Sequence, residues 1–344
     1  MAGLELRDIS FAYSADLPRV IDRLSLRIAA GEAHAVLGAS GAGKTTLLNM
    51  MSGLLTPQDG QIFLGDDDVT PLDGAQRRVA QVFQFPVLYN TLSVADNLAL
   101  VLQRRRFGRR QSSEEQQRIQ TIAEQLQLHQ FMHVKAGRLS LYQRQLVALG
   151  KALVRTDTRL VLLDEPLTAV DPAQKWHLRD VLRNAQREFQ LTMVYVTHDQ
   201  TEALTFADRV SVLTPKGIEQ TDTPENIYNT PASTYVAHFV GSPGMNLLPA
   251  ELVHAAKDHV TDTVGFRPEW VQLTSAQSAG AIAAQVESVS TQGTQNGKAQ
   301  GLIKLRLNAD LSCWAMNDVS GLNQGDQIFF TLPRYVAFAK GQRL

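Results

Sequence analysis

Residues 38–45 read Gly38-Ala39-Ser40-Gly41-Ala42-Gly43-Lys44-Thr45, the pattern of a loop that wraps phosphate. Glycines at 38, 41 and 43 let the backbone curl until successive N–H groups point inward at anionic oxygens. Ala39, Ser40, Ala42 and Thr46 continue the cradle through their backbone. Lys44 adds a mobile cation for the β and γ phosphates of a nucleotide, and the Thr45 hydroxyl suits Mg²⁺. Such a loop needs a strand before it and a helix after it. Ala33-His34-Ala35-Val36-Leu37 is a short apolar run, and Thr46 to Met51 has helical spacing. The helix N-terminus then faces the phosphates. A Gly-rich turn beside a surface lysine is the bland alternative, and it does not explain both flanks.

Working outward, short apolar runs alternate with helix-length segments. Leu160 to Leu163, Met193 to Val196 and Val210 to Leu213 read as buried strands, and Leu4 to Phe11 and Val20 to Ile28 as an edge sheet. Gly60 to Gly65 reads as a further short strand, Thr91 to Gln130 as polar helix, and Thr223-Pro224-Glu225 as a helix start. The fold class is α/β with a parallel sheet. Asp164-Glu165 closes the Leu160 strand at the carboxyl edge, where such sheets bind ligands. Asp164 suits the Mg²⁺ shell, and Glu165 can polarise an attacking water. Gln84 follows another strand end and can reach the metal and the water. His198 ends the Met193 strand and can hydrogen-bond a γ phosphate. Alone, Gln84 reads as a surface residue and His198 as structural.

The chain has 344 residues, more than one ordinary domain, and 44% of them are apolar. A formal net charge of −1 argues against a nucleic-acid partner. Cys313 is the single cysteine, which rules out a disulfide framework and fits a reducing compartment. The opening MAGLELRDISF lacks a signal-peptide core, and no stretch approaches the length of a membrane span. Any action at a membrane therefore runs through a partner. Near Gly241 the composition shifts. Ser242-Pro243-Gly244 breaks the pattern, and short β segments follow at Ala281 to Val289, Leu302 to Leu307 and Gln327 to Leu332. Gln292-Gly293 and Asn296-Gly297 are turns between them. Residues 241–344 thus read as a small all-β domain of the oligonucleotide/oligosaccharide-binding (OB) barrel type, the alternative being a structural tail.

Tyr13, the 38–45 loop, Gln84, LSLYQ (139–143), LVLLDEP (160–166), Ala169-Val170-Asp171 and THDQTEA (197–203) form an ordered set. Over residues 1–240 this set resembles the ATPase subunits of ABC transporters, with a helical subdomain over about 91–155. The tail's Gly265-Phe266-Arg267-Pro268-Glu269 is similar to the regulatory domain of sugar-class ABC importers. The resemblance implies that Tyr13 stacks on adenine, Gln84 links the nucleotide site to a membrane subunit, Glu165 is the catalytic base and His198 is a γ-phosphate switch. Ser140, Gln143 and Asp171 would act across a dimer. ATP and Mg²⁺ are the implied cofactors. Two permease subunits and, indirectly, a periplasmic solute-binding protein are the implied partners, placing the chain on the cytoplasmic face of a bacterial inner membrane. Segments 80–94, 164–172 and 241–246 narrow the resemblance to ATPase subunits of bacterial glycerol importers, with glycerol-phosphate-type and maltose-type ATPases next.

The family's LSGGQ segment is altered here: Leu141 and Tyr142 replace both glycines. Their bulk is expected where a partner's γ phosphate approaches, which points to a heterodimer with a second ATPase rather than a homodimer. A loop that relaxes and still functions is the alternative. The rival functional classes are a non-transport ABC ATPase and a nucleotide-gated binding module. Arg104-Arg105-Arg106 with Arg109-Arg110 reads as a solvated helical face before a lipid-binding one. His129 and His133 have i, i+4 spacing, but no neighbouring ligand makes them a metal site, and Trp176 reads as packing.

Overall fold

The computed structural model describes residues 2–102, 112–253, 260–276, 278–295 and 298–344. The arginine run at 104–110 and the Asn296-Gly297 turn lie outside these. Contacts divide the chain into two compact units, Met1–Pro224 and Glu225–Leu344.

The first unit runs β1 (Leu4–Phe11), β2 (Ile21–Ile28), β3 (Ala33–Gly38), α1 (Lys44–Ser52), β4 (Asp59–Leu64), β5 (Asp67–Asp68) and β6 (Val79–Val82). It continues α2 (Val94–Leu100), α3 (Ser113–Gln125), α4 (Leu141–Val154), β7 (Leu160–Asp164), α5 (Pro172–Glu188), β8 (Met193–Thr197), α6 (Gln200–Phe206), β9 (Arg209–Thr214) and β10 (Gly217–Asp222). The main sheet has the order β10-β9-β3-β8-β7-β6 and is parallel apart from β10. Its inner strands are buried on both faces, which is why they read as unbroken apolar runs. β2 instead largely alternates buried and exposed positions, and β1 does so over its first four residues. With β4 and β5 they form a separate antiparallel sheet, order β2-β1-β4-β5.

Two cores follow from these layers. Leu6, Ile9, Leu47, Leu162 and Val194 join the antiparallel sheet, α1 and one set of main-sheet side chains. Leu98, Ile122, Leu146, Leu163, Leu178 and Tyr195 join the other set to α2, α3, α4 and α5. Each of α2, α3 and α4 starts on a serine capping box: Ser93 with Asp96, Ser112 with Glu115, Ser140 with Gln143.

The second unit holds α7 (Pro224–Asn229), α8 (Thr234–Phe239) and β11 (Asn246–Pro249), β12 (Thr263–Phe266), β13 (Gln272–Thr274), β14 (Ile282–Gln295). β15 (Lys298–Arg306), β16 (Ser312–Asp318), β17 (Gln327–Thr331), β18 (Val336–Ala339) and β19 (Gln342–Arg343) complete it. Two antiparallel sheets result, β11-β12-β18-β19 and β13-β17-β14-β15-β16. This is the β-rich architecture expected of the tail. Asn246 ties one sheet to the edge of the other: its amide donates to Trp314 O at 2.8 Å and accepts Trp314 N–H at 2.7 Å.

The compact units part at Pro224, not at the Ser242-Pro243-Gly244 breakers that set the expected 240/241 boundary. The reason is hydrogen bonding. Thr234 N–H donates to Gly341 O at 2.9 Å and Arg343 N–H to Ala232 O at 2.8 Å. The fully buried Arg267 donates to the carbonyls of Tyr228, Ala237 and Val240. Burial pulls its pKa down to about 10. Arg267→Met would strip Tyr228 O and Val240 O of this donor, while Ala237 O keeps the Met245 N–H at 2.9 Å. At ~1–3 kcal/mol for each buried unsatisfied group, the unit should lose about 3 kcal/mol, seen as a lower urea midpoint. An unchanged midpoint would remove Arg267 as the anchor of α7 and α8.

Candidate nucleotide site

β3 delivers the chain to the phosphate loop at Gly38, and α1 leaves it at Lys44. Gly41 and Gly43 hold φ of 82° and 91°, a left-handed conformation that would strain any side chain. Gly38 has no room for a side chain, because an added Cβ would lie 2.6 Å from Leu213 O. Lys44 bends back over the loop and donates to Gly38 O and Ala39 O, each at 3.0 Å. Burial lowers its pKa, and the nearby Glu165 and Asp164 charges oppose that. The loop opens on a cavity of about 500 Å³ lined by Val20, Ser40, Gly41, Gly43, Lys44, Thr45, Thr46, Glu165 and His198. Two residues far apart in sequence thereby meet the phosphate loop.

Glu165 follows β7 and His198 follows β8, so the pairing of these strands places them side by side. His198 Nδ1 lies 2.9 Å from Glu165 Oε1, and Thr168 Oγ1 donates to Glu165 Oε2 at 3.1 Å. Glu165 adopts φ of 45°, with its N–H bonded to Val196 O at 2.9 Å. A non-glycine residue held this way stores strain of about 1–3 kcal/mol. Asp164 is the last residue of β7. Burial first, then the Glu165 charge, raises its pKa, and Lys44 works against both. Asp164 and the Thr45 hydroxyl are hard oxygen donors, and a divalent cation would relieve the penalty that Asp164 takes from burial and the Glu165 charge, so they fit Mg²⁺.

Other expected residues lie around this centre and do not line the cavity. Tyr13 is 60% exposed, stands edge-on to Phe11, and its hydroxyl is 3.0 Å from Thr46 Oγ1. The ring is thus tethered beside the loop through a contact that the sequence does not announce. Gln84 lies just past β6, on the same carboxyl edge as Asp164. Asp171 is the residue before α5 and is exposed.

Ser140 opens α4, its hydroxyl accepting Gln143 N–H at 3.2 Å while Gln143 Oε1 accepts Ser140 N–H at 2.9 Å. Leu141 and Tyr142 are half-buried. The Tyr142 ring packs toward the helical core, its centroid 6.2 Å from that of His177. Part of the bulk expected at the segment's outer side is therefore absorbed within the chain.

α4 also grips the segment after Gln84. Gln145 donates to Phe83 O at 3.2 Å, Lys151 to Val87 O at 2.8 Å and Arg144 to Asn90 Oδ1 at 3.0 Å. With its backbone clamped, this segment turns Phe85, Val87 and Tyr89 outward, 57–67% exposed. His129 and His133 do not share an α-helix: His129–Phe131 is a 3₁₀ turn, and both imidazoles line a cavity of about 410 Å³ with Asp96, Met132 and Ile119. Trp176 is exposed under the Arg179 guanidinium, 3.8 Å from its ring centre, rather than packed in a core.

The ABC transporter family model matches residues 21–168. An sn-glycerol-3-phosphate import ATP-binding protein, UgpC 3 of Agrobacterium fabrum, is 39% identical over 311 residues, covering 86% of this chain and 87% of the relative. The chain belongs to the ATP-binding subunits of ABC transporters. UgpC of Yersinia pestis is 38% identical over 295 residues, 80% of this chain and 81% of the relative. UgpC of Cupriavidus necator is 42% identical over 249 residues, 72% and 67%. Among solved structures, CbiO1 of Clostridium perfringens, part of the ABC transporter complex CbiONQ, matches with a TM-score of 0.59 at 23% identity, over 65% of this chain and 89% of that one. A nucleotide-free ATP-binding cassette from an ABC transporter matches with a TM-score of 0.56 at 23% identity, over 65% and 92%. An ABC ATPase of this fold binds and hydrolyses ATP. Among the described residues no helix is long and apolar enough to cross a membrane.

Proposed function

We propose that this ABC ATPase drives import of a small polyol or polyol phosphate, working on the cytoplasmic face of a bacterial inner membrane beneath two permease subunits that a periplasmic solute-binding protein serves. The observation that carries it is the Glu165–His198 pair facing the phosphate loop across one cavity. ATP enters with its base against Tyr13 and its phosphates over the N–H groups of residues 39–46. Lys44 exchanges Gly38 O and Ala39 O for the β and γ phosphates. Thr45, Asp164 and Gln84 would hold Mg²⁺, which neutralises phosphate charge when bound. Glu165 accepts a proton from the water whose oxygen bonds to the γ phosphorus as the bond to the β-phosphate oxygen breaks. His198 donates a hydrogen bond to the γ-phosphoryl group.

The relatives' names and the segments that resemble glycerol importers make glycerol and glycerol phosphate the solutes to test. In proteoliposomes containing the co-encoded subunits, the loaded binding protein should raise ATP hydrolysis and uptake together. Solute-independent hydrolysis without uptake would overturn the transport assignment.

The exposed Phe85-Val87-Tyr89 face would receive a cytoplasmic helix of a permease. Phe85→Asp with Val87→Asp should abolish co-purification of the membrane subunits while ATP affinity stays within about twofold. Intact co-purification would place the docking face elsewhere.

A second, different ATPase completes the dimer. Leu141 and Tyr142 support this, because side chains replace the glycines at the helix start meant for the partner's γ phosphate. This chain's own loop, Gln84, Glu165 and His198 would pair with the partner's LSGGQ-like segment, whereas Ser140, Gln143 and Asp171 of this chain would face the partner's loop in a weaker site. Residues 241–344 would regulate. Full transport by a complex holding two copies of this chain alone would refute the heterodimer.

A further inference from the structure

Glu202 belongs to the THDQTEA segment and has no part in the chemistry above, yet it is a 5%-exposed carboxylate with every oxygen engaged. Its Oε2 accepts the Tyr195 hydroxyl at 2.9 Å and the Thr197 hydroxyl at 3.1 Å. Its Oε1 accepts from Lys175 Nζ at 2.9 Å. Burial and the Glu202 charge together push the Tyr195 pKa well above its ordinary value, so that phenol remains a donor.

The two residues flanking His198 are both bound into this cluster. Thr197 donates to Glu202 and accepts Asp199 N–H at 2.9 Å. Asp199 Oδ1 caps α6 by accepting Glu202 N–H at 3.2 Å, and Lys175 Nζ stands 3.8 Å from Asp199 Oδ2. Lys175 itself is in the first turn of α5, its N–H bonded to Asp171 O at 3.1 Å. The contact is the first rung of a ladder. Arg179 donates to Thr205 Oγ1 at 2.7 Å, and Arg183 pairs with Asp208, whose carboxylate also accepts Ala33 N–H at 2.9 Å at the start of β3. One face of α5 thus holds α6 at two successive turns and the link from α6 to β9 at a third.

We propose that Lys175 and Glu202 are positioning residues that set the place of His198 and tie it to the turn carrying Asp171. An ion pair with one buried carboxylate and all its hydrogen bonds made adds little to net stability, but loss of the lysine leaves that buried charge uncompensated. Here that charge would sit against the backbone that aims His198. Displacements of about 1 Å at a reacting group can cost a hundredfold in rate.

Resting on the assignment of His198 above, the test is a mutant cycle in the transporter assembled with its co-encoded subunits. Lys175→Met should lower kcat about tenfold to a hundredfold, with ATP affinity within about twofold of wild type because Lys175 does not line the nucleotide cavity. Lys175→Arg should restore most of kcat. In a His198→Ala background, Lys175→Met should cost nothing more. Glu202→Gln keeps acceptors for Tyr195 and Thr197 and should show the same pattern if Lys175→Met folds poorly. An equal loss in both backgrounds makes the pair merely structural and overturns the proposal, as does normal kcat in Lys175→Met and Glu202→Gln while His198→Ala is impaired. Normal kcat in His198→Ala itself would overturn the site assignment beneath it.

Discussion

Glu165→Gln is expected to leave ATP bound and turnover nearly gone. The side chain is held from two directions, by His198 on one oxygen and Thr168 on the other. An amide has nearly the same shape and retains one acceptor, so the strained turn at φ 45° has no new reason to move. What disappears is the ability to take a proton from water. General-base catalysis contributes about 10²–10⁴-fold, and single-turnover phosphate release in the assembled transporter should fall by that order. ATP should accumulate in a closed ATPase dimer. Near-normal phosphate release would show that another group serves as base.

Lys44→Ala is expected to cost binding first and transport with it. The ammonium lies buried over the loop, satisfied by two carbonyls and by the field of Glu165 and Asp164. Desolvation already disfavours its charge, so a triphosphate finds a cation that gains more than a solvated lysine would. Removing one member of a buried, hydrogen-bonded charge pair costs about 2–5 kcal/mol. Titration with a fluorescent ATP analogue should show that loss, and uptake should vanish. Unchanged affinity with intact uptake would take the phosphate loop out of the mechanism.

The nucleotide site was legible where short-range order decides it. The strand-loop-helix at Ala33 to Met51, and strands β7 and β8 ending at Asp164 and Thr197, follow from short apolar runs of the kind a doubly covered parallel sheet takes, set between turn signals. Their parallel pairing then brings Glu165 and His198 together. Contacts that depend on side-chain reach were not legible: Thr168 on Glu165, Tyr13 on Thr46, Glu202 at the centre of its cluster. In the second unit β11, β12 and β18 escaped because each has only four residues, and β16 because its seven are only partly apolar. Buried Cys313 and Ala315 alternating with Trp314 are the signal that would have marked β16. The boundary near 241 followed breaker residues, whereas Arg267 fastens the two helices before them to the strands after them.

A sheet that ends in an open strand offers its unpaired N–H and C=O groups to any extended chain that passes. β16 is such an end, and Asn246 answers Trp314 there with both halves of its amide, as a neighbouring strand would. Asn317 donates to Val271 O from the same strand at 3.1 Å. At Trp314 one side chain thus does the work of a neighbouring strand, and Asn317 fastens the same strand to the turn at Val271. At the concentrations found around a membrane assembly, that leaves this edge a poor template for stacking one copy of the chain upon another.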